Sequence, residues 1–208
     1  GFFTKSDMTG DIHLFTKQLA RVCKSKGSKF MYNSNVINIS HIENKIKIHF
    51  VSNNQKEHKV FNKVVICAGV DSKKFASMVG DKVNIYPVKG YSITVMLNDK
   101  QSQISAPLVS LLDDKAKIVT SRLGMHRFRI AGTAEFNGYN KDIRNNRIIP
   151  LVDWCNRFFP KVSTEHSIPW AGLRPMTPSM MPKIGKGNLS GVFYNTGHGH
   201  LGWTLSSL

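Results

Sequence analysis

The chain has 208 residues, 41% of them hydrophobic, and 29 lysines and arginines against 13 aspartates and glutamates, a formal net charge of +16. This length and apolar content suit one large domain or two linked ones and exclude a disordered chain. The basic residues are scattered, with no basic helix carrying interleaved aromatics, so nucleic acid is not expected as a partner.

Cys23, Cys67 and Cys155 are too few and too far apart for a disulfide framework or a CxxC knuckle, which fits a reducing compartment. The first residues carry no apolar core of signal-peptide length, and the longest apolar stretch, in VVICAGV, is far short of a membrane span. Any membrane contact is expected to be peripheral. The start at Gly1 and the stop at Leu208, inside what reads as the opening of a helix, suggest a piece of a longer protein.

Along the chain, Ile12, Phe15, Leu19 and Val22 recur at helical spacing, with Asp7 or Thr9 as a cap and Lys26-Gly27 as the stop. KFMYN, NVINISH, KIKIHFVS and HKVF alternate apolar with polar residues and predict short strands and hairpins. KVVICAG, a continuous β-branched run ending in Ala-Gly, predicts a strand buried on both faces, whose carboxyl end is where an open α/β sheet takes a ligand.

From VNIYPVKGYSITVML onward, longer alternating strands, including KAKIVTSRL and RFRIAGTAEF, predict an antiparallel sheet. DIRNNRIIPLVDWCNRFFP has helical period; Pro150 either sits in the first turn or kinks it, and Pro160 ends it. IPWAGLRP and GVFYNTG give two more strands, and HGHLGWTLSSL opens a final helix. The expected fold is α/β: residues 1–83 and 171–208 form part of one domain, interrupted by an antiparallel insertion at 84–170.

Three stretches carry candidate chemistry. In NTGHGHLGWT, Gly197, Gly199 and Gly202 bracket His198, His200, Leu201 and Trp203; such a backbone can take positive φ and admit a flat ligand. In WAGLRPMTP, Arg174 stands at a strand end before the rigid Pro175, either as a surface ion pair or as a bidentate grip on a carboxylate. In YPVKGYS, Lys89 and Tyr91 flank Gly90, which reads equally as a bulge beside a solvated lysine or as a close approach with a cation and a phenol beside it. His198 and His200 have no third ligand in a fitting pattern, and no HExxH or GxSxG is present, so neither a metal site nor a serine hydrolase is expected.

Taken in this order and spacing, DMTGDIHLFTKQLA, CAGVDS, YPVKGYSITV, AGTAE, WAGLRPMTP and NTGHGHLGWT resemble the FAD-dependent D-amino-acid dehydrogenases of the D-amino-acid oxidase and glycine oxidase superfamily. The resemblance covers nearly the whole chain. It implies a partial Rossmann-like FAD domain and an inserted substrate domain whose antiparallel sheet roofs the flavin. It also implies oxidative deamination of a D-amino acid such as D-alanine, with hydride passing to FAD and electrons onward to a respiratory acceptor such as a quinone. The chain would work in the cytoplasm or peripherally on the inner face of the membrane.

By the same resemblance Arg174 holds the substrate carboxylate, while Lys89 and Tyr91 lie near the ring. Val36 meets the adenosine half of FAD, Ala68 and Gly69 end the strand beside the cofactor, and Gly197, His198, Gly199, Leu201, Gly202 and Trp203 form the flavin-facing turn, backed by the N-terminus of the last helix. Two departures stand out. Ser179-Met180 replaces the usual Asp-Gly turn, which is expected to rearrange it, and the G-x-G-x-x-G pyrophosphate fingerprint is not in these residues. Two other readings are a non-catalytic piece that needs a partner nucleotide-binding half and an enzyme of glycine, sarcosine or proline.

Overall fold

The 3.6-residue apolar period produces a helix at the start of the chain. In the computed structural model, which describes residues 2–206, helix α1 spans Ile12–Ser25. Gly27 ends it with φ of 92°, and the N–H groups of Gly27 and Ser28 donate to the carbonyls of Lys24 and Cys23, each at 3.0 Å. This paired closure satisfies carbonyls that the last turn would otherwise leave open. The cap is Asp11, not Asp7 or Thr9: its Oδ1 accepts from the Leu14 N–H at 3.1 Å, which only the residue directly before the first turn can do. The stripe of Ile12, Phe15, Leu19 and Val22 remains about half exposed.

KFMYN forms no strand. Phe30 stacks on Tyr32, Met31 meets the Lys59 ammonium at 3.2 Å, and Asn33 turns the chain at φ of 53°. Strands β1 (Ser34–Ile42), β2 (Lys45–Ser52) and β3 (Gln55–Phe61) follow as an antiparallel meander in that order. Asn53 and Asn54, both at positive φ, make the tight second turn, whose twist matches the flanking strands. Beyond them lie β4 (Val64–Ile66), a 3-10 turn at Gly69–Asp71 and α2 (Ser72–Met78).

The rest of the chain forms β5 (Tyr86–Met96), α3 (Lys100–Ser105), β6 (Leu112–Asp113), β7 (Ile118–Leu123), β8 (Arg127–Glu135), α4 (Asn145–Phe158), β9 (Ser167–Met176), β10 (Lys183–Lys186) and β11 (Val192–Thr196). Pro150 stands in the second turn of α4 rather than the first, and the helix stops two residues before Pro160. The expected final helix is not formed among the described residues. Leu205 N–H bonds to the Leu201 carbonyl at 2.9 Å, a single helical bond among turns, and residues 207 and 208 lie outside the described range. One such bond does not offset the entropy of nucleation.

By its internal contacts the chain divides into two units, residues 1–21 with 89–173 and residues 22–88 with 174–208. The first is built on a sheet ordered β6-β7-β8-β5-β9, with antiparallel pairing from β6 to β5. Tyr91, Ile93 and Val95 of β5 and Phe128 and Ile130 of β8 form one buried cluster with Leu151 and Cys155 of α4. Each such apolar side chain contributes about 1.5–3 kcal/mol by leaving water. The segment before α1 joins this unit because the Arg127 guanidinium holds the Asp11 carboxylate at 2.6 Å.

In the second unit the sheet is ordered β10-β11-β4, with β11 parallel to β4 and antiparallel to β10. Ile39, Ile46, Ile66, Ala76, Val83, Ile85, Val192 and Tyr194 join the meander, α2 and this sheet in one core. The expectation that KVVICAG is buried on both faces does not hold. Ile66 is buried but Val65 is 57% exposed, because successive residues of β4 point to opposite faces and the core packs on the Ile66 face.

Candidate functional site at the carboxyl ends of the parallel strands

Strands β4 and β11 run parallel, Val64 beside Val192 and Ile66 beside Tyr194, so Ala68-Gly69 and Thr196-Gly197 emerge at the same end. A relay of hydroxyls ties the two exits together. The Ala68 N–H donates to Ser72 Oγ at 3.1 Å, Ser72 Oγ and Thr196 Oγ1 are 2.8 Å apart, and Thr196 Oγ1 donates to the Gly69 carbonyl at 3.3 Å. Ser72 and Thr196 are buried. Sequence reasoning missed both; the only signal was their position just past the two apolar runs. Gly69 sits at φ of 55°, and the place its Cβ would take has no heavy atom within 4 Å. The backbone here faces open space.

The glycine turn has a second neighbour. The Gly199 N–H donates to the Pro175 carbonyl at 3.1 Å. A Cβ on Gly197, whose φ is 76°, would lie 2.8 Å from Thr177 Cγ2, and one on Gly199 would lie 2.7 Å from Met176 Sδ. At these two positions the close approach that glycine permits is therefore to the end of β9. Arg174 lies within β9, one residue before Pro175, and is half-buried. The structure thus brings Ala68, Gly69, Gly197 and Gly199 together and ties them to the strand that carries Arg174. Leu201 hydrogen-bonds back to the His198 carbonyl at 3.0 Å, Gly202 abuts the His198 side chain, and Leu201 and Trp203 are partly exposed. Replacing Gly197 by alanine is expected to destabilise the protein by about 2 kcal/mol, since a Cβ meets both a left-handed φ and a β-branched neighbour. An unchanged denaturation midpoint would show that the turn can be rebuilt.

Val36 packs on the core of the second unit and stands opposite Phe50 at the β1 bulge. The reading of Lys89 as a solvated lysine does not hold: its side chain and that of Tyr91 are fully buried in the first unit. The Lys89 ammonium donates to Asn140 Oδ1 at 2.9 Å and the Asp142 carbonyl at 3.1 Å and pairs with Glu135 at 3.3 Å, while the Tyr91 phenol donates to Glu135 at 2.5 Å. Arg144 completes the set on the other Glu135 oxygen at 2.5 Å.

The Tyr91 phenol above all, with Lys89 and Arg144 behind it and against the pull of burial, holds the Glu135 carboxyl at about 2. For Lys89, burial acts to lower the ammonium, and Tyr91 and Glu135 together outweigh it, leaving it raised. The expected bulge is present, but β8 carries it: Thr133 and Ala134 stand against Gly90 alone, with Thr133 at φ of 63°.

At Ser179-Met180 the chain makes a hydrogen-bonded turn. Met180 takes φ of 63° in place of glycine, and its N–H closes the turn on the Thr177 carbonyl at 3.1 Å. Thr177 Oγ1 adds a bond to the Met181 carbonyl at 2.9 Å, which holds the left-handed residue in place. Among the described residues no three His, Cys, Asp or Glu side chains gather where they could hold a metal ion, and no helix is long and apolar enough to cross a membrane.

A parallel strand pair with glycine exits in one unit and an antiparallel sheet in the other are compatible with a flavin-dependent oxidoreductase. The family described as FAD dependent oxidoreductase matches residues 1–208. The chain belongs to that family. It is 56% identical over 207 residues to D-amino acid dehydrogenase 3 of Mesorhizobium japonicum, covering 100% of this chain and 50% of that protein. It is 40% identical to the D-amino acid dehydrogenase of Dechloromonas aromatica, covering 99% and 49%. The chain thus spans about half the length of the curated relatives it matches. Among solved structures, glycine oxidase from Geobacillus kaustophilus superposes with a TM-score of 0.75 at 20% identity, covering 91% of this chain and 49% of that one. L-proline dehydrogenase from P. horikoshii superposes with a TM-score of 0.74 at 16% identity, covering 91% and 50%. These two similarities show the fold.

Proposed function

We propose that the protein containing this chain is an FAD-dependent D-amino-acid dehydrogenase, which converts a D-amino acid such as D-alanine and water to a 2-oxo acid and ammonium. The observation that carries the reading is the hydrogen bond from the Gly199 N–H to the Pro175 carbonyl, which ties the glycine turn to the strand bearing Arg174. The 56% identity to a protein named D-amino acid dehydrogenase 3 supports it.

The residues present fit the cofactor that the family requires. Ala68 and Gly69 leave open backbone at the end of β4, and Gly197, His198, Gly199, Leu201, Gly202 and Trp203 line the neighbouring exit. When bound, FAD supplies the acceptor for the hydride and passes the electrons to a respiratory acceptor such as a quinone. Arg174 holds the substrate carboxylate through two parallel hydrogen bonds, and Pro175 fixes the strand behind it. This orients Cα and leaves its hydrogen as the group to be transferred. The Cα hydrogen leaves as hydride and the amine arrives unprotonated, so no side chain of this chain need act as a general base. Lys89 and Tyr91 serve as interior supports of the substrate unit rather than as groups on the substrate. The protein works in the cytoplasm, in peripheral contact with the inner face of the membrane where such an acceptor resides.

The test is the visible spectrum of the longest open frame that contains this chain, recorded before and after D-alanine. Flavin bands that bleach with the D-isomer and not with the L-isomer are expected. A flavin that bleaches only with glycine, sarcosine or proline moves the substrate, and a colourless protein overturns the reading.

A further inference from the structure

The outward face of the meander carries a patch that the amino-acid chemistry does not use. Ile46 and Ile48 of β2 pack on the core of the second unit and Phe50, two residues on, is buried on the same face, so Lys45, Lys47, His49 and Val51 project from the opposite face. The cross-strand partners share that face: Ser40 and Val60 beside Lys47, Asn38 and His58 beside His49, and Lys56 beside Val51. The His49 and His58 rings lie 6.0 Å apart, as direct neighbours in the ladder should.

Three ammonium groups therefore stand on one face of a three-stranded sheet, with valine between them and no carboxylate in the set. Glu57 belongs to the other face, opposite Phe50, and Glu43 lies in the β1–β2 turn. We propose that this face is the surface by which the protein docks on an anionic membrane.

Charge complementarity selects the partner. Strands about 4.8 Å apart set the lysines in nearly one plane, which matches a plane of anionic headgroups. Their aliphatic stems and the side chains of Val51 and Val60 can lie against the headgroup layer while the ammonium groups stay in water. A nucleic acid is disfavoured, because among the described residues the only rings these strands offer on that face for bases to stack on are the two adjacent imidazoles of His49 and His58. The inference rests on the peripheral contact proposed above and on nothing in the chemistry of deamination, so the two fail separately.

The experiment is co-sedimentation of the protein with vesicles of phosphatidylglycerol mixed one to two with phosphatidylcholine, and with vesicles of phosphatidylcholine alone. Binding to the anionic vesicles only is expected, with release when salt rises from about 0.1 M to about 1 M. The variant Lys45→Gln, Lys47→Gln, Lys56→Gln is expected to lower the partition coefficient about 100-fold, and each single change about fivefold. The single variants keep the test open if the triple one does not fold, which a thermal melt decides. Lys24→Gln, Lys26→Gln, Lys161→Gln removes the same charge from exposed positions elsewhere and is expected to bind as the unaltered protein does. Equal loss in both triple variants, undiminished binding of the first, binding to a nucleic acid in place of vesicles, or no vesicle binding at all would overturn the proposal.

Discussion

On the proposed function, in which Arg174 grips the substrate carboxylate, replacing Arg174 by alanine in the flavin-loaded enzyme is expected to lower kcat/KM for D-alanine by about a thousandfold, the equivalent of ~4 kcal/mol of lost binding. The loss follows from the bond type. A guanidinium can meet a carboxylate with two charge-assisted hydrogen bonds, and a truncated site leaves the substrate carboxylate half-desolvated without them. The greater part should appear in KM, because the carboxylate does not change charge during the reaction and is gripped equally before and during it. Lysine at this position should recover only part of the loss, since a point charge cannot reproduce the paired geometry that the neighbouring Pro175 of β9 holds ready. Steady-state kinetics of both variants on D-alanine decide the matter. An alanine variant with an unchanged KM would remove Arg174 from the site.

The second large effect is expected in the first unit. Glutamine in place of Glu135 keeps the size but leaves the Lys89 ammonium buried without its counter-charge, and a drop in Tm on the order of 10 °C is expected near neutral pH. The sign with pH follows from the carboxyl being held at about 2, below its ordinary 4.5. The stabilisation it gives is complete above about pH 4.5 and is lost as pH falls from there through 2, because the unfolded chain takes up the proton first. Thermal melts of the two proteins should therefore differ most near neutral pH and converge toward pH 2. Equal midpoints at neutral pH would mean that water or a rearranged 137–144 segment replaces the carboxylate. Pairing the change with Lys89→Met should restore much of the lost stability, since an apolar pair removes the stranded charge.

Patterns that depend on neighbouring residues were legible in the amino-acid order. The period of α1, its glycine stop, the two hairpins and the alternation of β5, β7 and β8 all follow from contacts within a few residues, which sequence spacing encodes directly. The turn at Met180 shows where such reading stops. Local propensity favours glycine or asparagine there, yet the bonds from Thr177 to Met180 and Met181 outweigh the cost of a left-handed methionine. Strand β10 gave no signal, because a four-residue edge strand exists only through its pairing with β11. Helix α3 does carry one: Asp99 caps it by accepting from the Ser102 N–H at 2.7 Å.

The same division runs through the site. Glycine at 197 and 199 and a proline after Arg174 are chemical facts of the chain, and they mark the segment where backbones come close. Which backbones these are depends on residues far apart in order: Ser72 meeting Thr196, Pro175 receiving Gly199, and Thr177 occupying the space beside Gly197. Lys89 illustrates the point most sharply. Its residue type leaves a solvated cation open as a reading, whereas folding closes Glu135, Asn140 and Asp142 around it. Residue type sets the cost of burying a charge, but partners some 50 positions away determine whether that cost is met, and a linear pattern does not contain their positions.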